Sequence, residues 1–382
     1  MVEKIKSSTY TLNIQTLTPL HIGSGNTLMK GTDYFVDGDR LGKADLRKLY
    51  EIIQRLNIGL ERWTNYIEAG KDIFEEELQK RGIKLEDVSK EIIPIKNRKG
   101  KELYEFIRNQ LTGNPIIPGS SIKGAIRTAL LAPVLKEYYK GKSNLVLRKA
   151  IKESKGKKYL DKFDTKIIAD LLKIDATKNY NPQNDIMKFM KISDAELDKD
   201  FLSVDLMQVL NMNENDEWYI KNQLTQSREY VEGSTSFKIS FDSRFWENNS
   251  FGINNILSFT NKVNQHTLYL LEKEFNYFKD DLEDNFIEGK LGELILENLD
   301  QLISEFNKID REKEIIIRMS SGSGWDFMTG GWFKEIADDK DWKTFKQFIR
   351  PRRYFEYPFP KSRRLTSDLE FPGFVKISFN TQ

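Results

Sequence analysis

Ile117-Pro-Gly-Ser-Ser-Ile-Lys-Gly-Ala-Ile-Arg-Thr-Ala-Leu-Leu131 is the stretch that decides how this chain is read. Pro118 and Gly119 end a short apolar run, and the residues beyond them predict a helix starting at Ser120 or Ser121, both natural N-cap residues. Ile122, Ile126, Leu130 and Val134 recur at every fourth position and predict one buried stripe. Lys123 and Arg127 share a different face near the helix start, where the small Gly124 and Ala125 permit close approach. Free backbone amides, serine hydroxyls and two cations together predict an anion site, with a phosphodiester as its tenant. The competing reading is a capped amphipathic helix with solvated charges. Gly119-x4-Gly124 has the glycine spacing of a nucleotide P-loop, but Ala125-Ile126 stands where Lys-Ser/Thr is required. ATP binding through this segment is therefore rejected.

Upstream, residues 10–17 alternate with Tyr10, Leu12 and Ile14 on one side, the period of a half-buried strand that Pro19 ends. Residues 33–36 predict a second strand before the turn signal Asp37-Gly38. Residues 43–56 predict a helix, and 59–105 read as mostly helical and highly charged. Residues 136–200 are polar and Lys-rich, the mark of an insertion. Downstream, residues 201–210, 237–241, 314–319 and 374–379 predict strands. Between them lies a long helical stretch, 253–310, with Leu294, Leu299, Leu302 and Ile303 on its apolar side. Strands flanking helices in each half predict an α+β protein. The expected division is an N-terminal module over 1–200 and a C-terminal module over 201–382.

Three further segments carry chemistry. Met319-Ser-Ser-Gly-Ser-Gly-Trp-Asp-Phe-Met-Thr-Gly-Gly-Trp-Phe333 follows a predicted strand. Gly322, Ser323 and Gly324 allow close contact with a ligand backbone, and Trp325, Phe327 and Trp332 offer stacking surfaces for splayed bases. The alternative is a glycine-rich hairpin whose aromatics belong to the core. His21-Ile-Gly-Ser-Gly-Asn-Thr-Leu-Met-Lys30 presents His21, Ser24 and Lys30 as candidate contacts to phosphates or ribose hydroxyls, against a structural role for a lone histidine. The run of Arg350, Arg352 and Arg353 with Tyr354 and Phe355, and Lys361-Ser-Arg-Arg364 after it, interleave cations with aromatics and suit RNA backbone and stacking contacts or a protein–protein edge.

Composition limits what these segments can be. The 382 residues suggest two domains, and 39% hydrophobic with 12% aromatic content supplies real cores. The absence of Cys excludes disulfides, thiolate zinc sites and a Cys nucleophile. The start carries no apolar segment of signal-peptide length and no run approaches a membrane span, so a soluble cytoplasmic protein is expected. Net charge is only +2, but it is segregated. Residues 140–166 hold 10 Lys/Arg against 3 acids, 343–364 hold 8 against one, and 272–314 hold 14 acids against 6 bases. Such segregation permits one basic and one acidic face.

The loop Thr18-Pro-Leu-His-Ile-Gly-Ser-Gly25, the Ile-Pro-Gly-Ser-Ser-x-Lys-Gly segment and the late glycine-rich loop resemble, in order, the RAMP superfamily of CRISPR proteins. Within it, the length, the Asp33-Tyr-Phe-Val-Asp strand and the Ala-Ile-Arg-Thr-Ala wording are most similar to the family of fifth Csm subunits of type III-A effector complexes. The resemblance implies two ferredoxin-like (RRM-like) RAMP modules with helical insertions. It implies a non-catalytic subunit in a single copy, capping the backbone filament and holding the 3′ portion of the guide RNA. It also implies target RNA, other Csm subunits and nucleases recruited for guide maturation as partners, with no cofactor, metal or membrane. The sibling backbone subunit cuts target RNA with an Asp in the loop after its first strand. Here Asp33 begins the next predicted strand, so the cleaving role is not assigned to it.

Two other functions compete. A guide-processing endoribonuclease of the same superfamily needs a general acid and base, and the only histidines are His21 and His266. A protein-interaction subunit without RNA contact would show no steep salt dependence in an RNA titration.

Overall fold

A computed structural model gives the fold, and the structure describes residues 7–153, 172–175, 181–247, 249–281, 289–349 and 359–379. The chain is α+β. Its first sheet is built around β1 (Ser7–Thr16), whose Leu12 and Ile14 are buried as the alternation predicts. β1 pairs antiparallel with β13 (Ser234–Asp242) on one side and β16 (Phe374–Phe379) on the other. β8 (Met190–Ile192) extends the sheet beyond β13, and β14 (Glu314–Arg318) beyond β16. The order is β14-β16-β1-β13-β8.

The second sheet runs Trp218–Ile220, Leu202–Met212, Gln226–Val231, Glu102–Phe106 and Gly23–Met29, with Ser362–Leu365 also paired to Leu202–Met212. Its strands are β2 (Gly23–Met29), β6 (Glu102–Phe106), β10 (Leu202–Met212), β11 (Trp218–Ile220), β12 (Gln226–Val231) and β15 (Ser362–Leu365). Both sheets combine strands from before and after residue 200. The two halves therefore share one core, and a boundary at 200 would cut through it. A peripheral three-stranded sheet, β3 (Tyr34–Asp37), β4 (Arg40–Ala44) and β5 (Ser89–Pro94), closes its own small core over Phe35, Leu49, Phe74 and Val88.

Several local expectations shift. The helix expected from residue 43 runs Leu46–Arg55, because Asp45 accepts from Arg47 N and Lys48 N and caps it, while Lys43 lies in β4. The region 59–105 contributes β5 and β6 as well as helix. The stretch 253–310 is two helices, Ile256–Asp281 and Gly289–Lys308. The second buries Leu291, Ile295, Leu299, Leu302 and Phe306, a cleaner stripe than the expected one, and leaves Leu294 exposed.

The segment at 117 forms a helix over Gly119–Tyr139, with Ile122, Ile126 and Leu130 buried against the first sheet and the Ile256–Asp281 helix. Pro118, not a serine, is its N-cap residue, and the Gly119 amide donates to Asp194 Oδ1 at 2.7 Å. A Cβ on Gly119 would lie 2.3 Å from Ile192 O, so the helix start is seated directly on the end of β8.

Candidate nucleic-acid interface

Three segments separated by hundreds of residues meet at one cleft of about 440 Å³. Ile22 and Gly23, after β1, form one wall. Ser121, Gly124, Ala125 and Thr128 of the Gly119–Tyr139 helix form another. The glycine-rich loop closes the third through Met319–Ser321, Ser323, Phe327 and Met328, with Arg318 beneath. The loops are tied together: Ser321 N and Ser320 Oγ both donate to His21 O, at 3.3 and 3.2 Å. Met319 N bonds Gly373 O at 2.8 Å, and Gly373, at φ +96°, has no room for a Cβ because Met319 O would be 2.2 Å away.

The predicted contacts divide sharply. Ser121, Gly124 and Ser323 face the cleft or line it, and Gly324 is exposed at φ +75°. Ser120 is exposed in the first helical turn. Lys123 and Arg127 are a correction. With about 100° per residue, the positions 121, 124, 125 and 128 define the cleft face, and 123 and 127 lie well round from it. Both are half-buried; burial pushes the Lys123 ammonium down, with Asp185 its countering charge. The expected grip of two cations at an open helix start is not built: the cations look elsewhere and Asp194 already occupies the first amide.

His21 is also a correction. It is 1% exposed, packs edge-on against Phe106 and Tyr230, and donates Nδ1–H to Glu229 O at 2.7 Å. Burial lowers its pKa to about 4, so it is neutral and structural. Ser24 donates to Glu105 Oε2, and Lys30 is paired with Glu75 at 2.9 Å and Asp72 at 3.8 Å. Trp325 packs on Phe345 and Phe359, and Trp332 is 2% exposed and stacked on Tyr139; both serve the core, while Phe327 remains at the cleft. Gly322 is buried, with Met207, Arg364 and Pro372 within 3.1–3.2 Å of where its Cβ would be. Arg350, Arg352 and Arg353 lie outside the described residues.

Sequence reasoning missed the groups that shape the site. Lys43 and Arg108 are enclosed with Glu91, Glu105 and Glu229, and through Glu105 they fix Ser24 and Asn26. Arg318 stands under the glycine loop, donates to Pro372 O and Gly322 O, and faces the rings of Phe327, Phe371 and Phe374 at 4.9–5.4 Å. Burial pushes its pKa down to about 9 despite the countering charge of Glu274. Arg228 stands at the loop's first turn on a strand whose sequence carries no motif, beside Arg364 of the basic Lys361-Ser-Arg-Arg364 run that the sequence did single out. The alternation in β12 could have flagged Arg228 as one surface residue among many, no more.

A RAMP superfamily sequence model fits residues 13–365. This chain belongs to the RAMP superfamily. Among solved RAMP-like folds, a chain of the cryo-EM structure of a Csm–crRNA–target RNA ternary complex from a type III-A CRISPR–Cas system superposes with TM-score 0.64 at 20% identity. The match covers 97% of this chain and 100% of that one. The crystal structure of T. onnurineus Csm5 gives TM-score 0.57 at 21% identity, over 95% of this chain and 99% of the other. At these identities the likeness establishes a shared RAMP fold. A comparison with curated protein sequences gives no match. Among the described residues, no helix is long and apolar enough to cross a membrane.

Proposed function

We propose that this RAMP protein is a guide-RNA-binding, non-catalytic subunit of a type III-A Csm effector complex, capping its backbone near the 3′ portion of the guide. The observation that carries the reading is the convergence of the loop after β1, the Gly119–Tyr139 helix and the glycine-rich loop on one cleft, beside Arg228 and Arg364, which have no carboxylate partner among the described residues. Full-length coverage of chains in Csm structures supports the subunit assignment. Guide and target RNA, neighbouring Csm subunits and nucleases of guide maturation are the proposed partners, and the proposed compartment is the cytoplasm. The sequence β1, helix, β8, β13, helix, β16, with sheet order β16-β1-β13-β8, supports reading the first sheet as a ferredoxin-like module.

The endoribonuclease alternative, which could also use Lys or Tyr, draws no support from the two histidines. His21 and His266 are both buried, each with its pKa lowered to about 4 by desolvation, and neither reaches solvent to meet a scissile phosphate. Fluorescence anisotropy with labelled single-stranded RNA across a KCl series tests the binding role. Affinity should fall by a log–log slope of about −0.7 for each phosphate contacted. Affinity that ignores salt removes the reading, and cleavage of repeat RNA that is lost in His21→Ala replaces it with the nuclease.

A further inference from the structure

Among the described residues Arg228 and Arg364 have no carboxylate partner, and we propose that together they grip the phosphodiester backbone of single-stranded RNA where it enters the cleft. This deepens the reading above and rests on it.

The register of the second sheet puts the two side by side. Arg228 on β12 stands opposite Asp205 of β10, and Arg364 on β15 stands opposite Val209. Positions 205, 207 and 209 of a strand share one face, so both arginines flank Met207 on that face from opposite edges of β10. The glycine-rich loop crosses at this spot. A Cβ on Gly322 would meet Met207 Cε and Arg364 Cβ, each at 3.1 Å, and Arg228 donates to Ser321 Oγ. Ser321 also lines the cleft, so the pair stands at the cleft's edge.

The fold leaves these charges unspent. Among the described residues Arg228 bonds neutral groups, Ser321 and Gln226 Oε1 (2.8 Å), and lies over the Tyr104 ring at 5.1 Å. Its Nε is buried without a partner. Among the described residues, no ion pair or hydrogen bond engages the Arg364 side chain. Burial pushes both below the usual arginine value, and the charge of Arg364 adds to the depression of Arg228. The carboxylate on the same face, Asp205, is held by Ser367 through its amide (3.3 Å) and hydroxyl (2.9 Å). Two other enclosed arginines carry carboxylate partners, Arg108 with Glu91 and Glu229 and Arg363 with Glu274, whereas Arg318 donates to the carbonyls of Pro372 and Gly322.

Two half-buried like charges without a counter-ion leave an electrostatic deficit that an anion relieves. Guanidinium forks match phosphate oxygens in bidentate geometry. Three features favour RNA over an acidic peptide. Tyr104 offers a ring beside Arg228, exposed Gly324 lets a backbone come close, and the neighbouring 440 Å³ cleft offers space for a splayed base.

The test is anisotropy of the full chain with labelled single-stranded RNA over a KCl series, comparing wild type with Arg228→Gln/Arg364→Gln, and polyglutamate as a competitor. The double variant should bind roughly tenfold or more weakly at low salt, with its log–log salt slope flattened by about 1.4, two contacts at about 0.7 each. Its thermal midpoint should hold or rise, because removing unpaired like charges relieves repulsion; this separates a binding defect from misfolding. A wild type that binds RNA with a steep salt slope while the double variant keeps the same affinity and slope overturns the arginine pair alone. A wild type that binds no RNA overturns the reading beneath it. Polyglutamate that displaces RNA from wild type but binds the double variant poorly, with RNA binding itself unchanged by the substitutions, also overturns the proposal and assigns the pair to an acidic protein.

Discussion

Replacing Lys43 with Met should destabilise the whole chain and loosen the cleft at once. Lys43 is 3% exposed, with Nζ 2.8 Å from Glu105 Oε1, 2.8 Å from Glu229 Oε1 and 3.9 Å from Glu91 Oε2. The contact with Glu229 is an ion pair rather than an aligned hydrogen bond. Glu229 is fully buried; its Oε2 keeps Phe106 N and Arg108, while its Oε1 would lose its counter-charge. Three carboxylates would then share Arg108 alone, so the enclosed charge moves from −1 to −2. Breaking a buried ion network by removing one partner costs about 3–5 kcal/mol. At about 2.1 cal/mol/K per residue of unfolding entropy, 382 residues give roughly 0.8 kcal/mol per degree, so the midpoint should fall by about 4–6 °C. Differential scanning calorimetry reads this directly. Lys43→Met/Glu229→Gln, which restores the charge sum, should lose less than the two single variants added together. A midpoint moved by less than about 1 °C in Lys43→Met would refute the reasoning, since it corresponds to under ~1 kcal/mol. The pH dependence has a definite sign. Burial opposes ionisation of Glu105, but the hydrogen bond and charge of Lys43 outweigh it and hold its pKa below the ordinary 4.5. That stability is present above pH 4.5 and is lost as pH falls through the lower folded value.

Other outcomes follow from the same geometry. Gly119→Ala should cost about 1–3 kcal/mol, because its Cβ would meet the backbone of β8. Gly124→Ala, facing open space, should be neutral or stabilising by up to about 1 kcal/mol; a denaturant series on both reads the contrast. His21 and His266, each lowered to about 4, bind protons in the unfolded chain first, so stability should decline as pH falls from 6.5 toward 4. The slope of midpoint against pH should be shallower in His21→Gln, and an unchanged slope would show that the His21 ring is not neutral in the fold. Lys123→Gln with Arg127→Gln should leave RNA affinity within about twofold, since neither lines the cleft; a loss of tenfold would return the anion site to the far face of the helix.

What the sequence determined by itself was local. The alternation of Tyr10, Leu12 and Ile14 fixed β1, and the Ile122–Ile126–Leu130 stripe fixed the helix and its buried face. The three glycine-bearing segments were visible because special backbone needs leave a residue-type signature, and their order carried the family. Only the tertiary structure decided what those segments meet. Helical spacing places Lys123 and Arg127 on one face but contains nothing about which neighbour that face confronts. The capping carboxylate arrives from Asp194, seventy-five positions away, and the carbonyl holding His21 lies 208 positions on. Arg228 has unremarked surroundings in the chain and Arg364 is one cation of a basic run, and they share a face, without a carboxylate partner among the described residues, only when β12 and β15 pair along β10. Periodicity is set by bonds between near residues; partnership and burial are set by contacts across the sheets, whose register no short window of sequence contains.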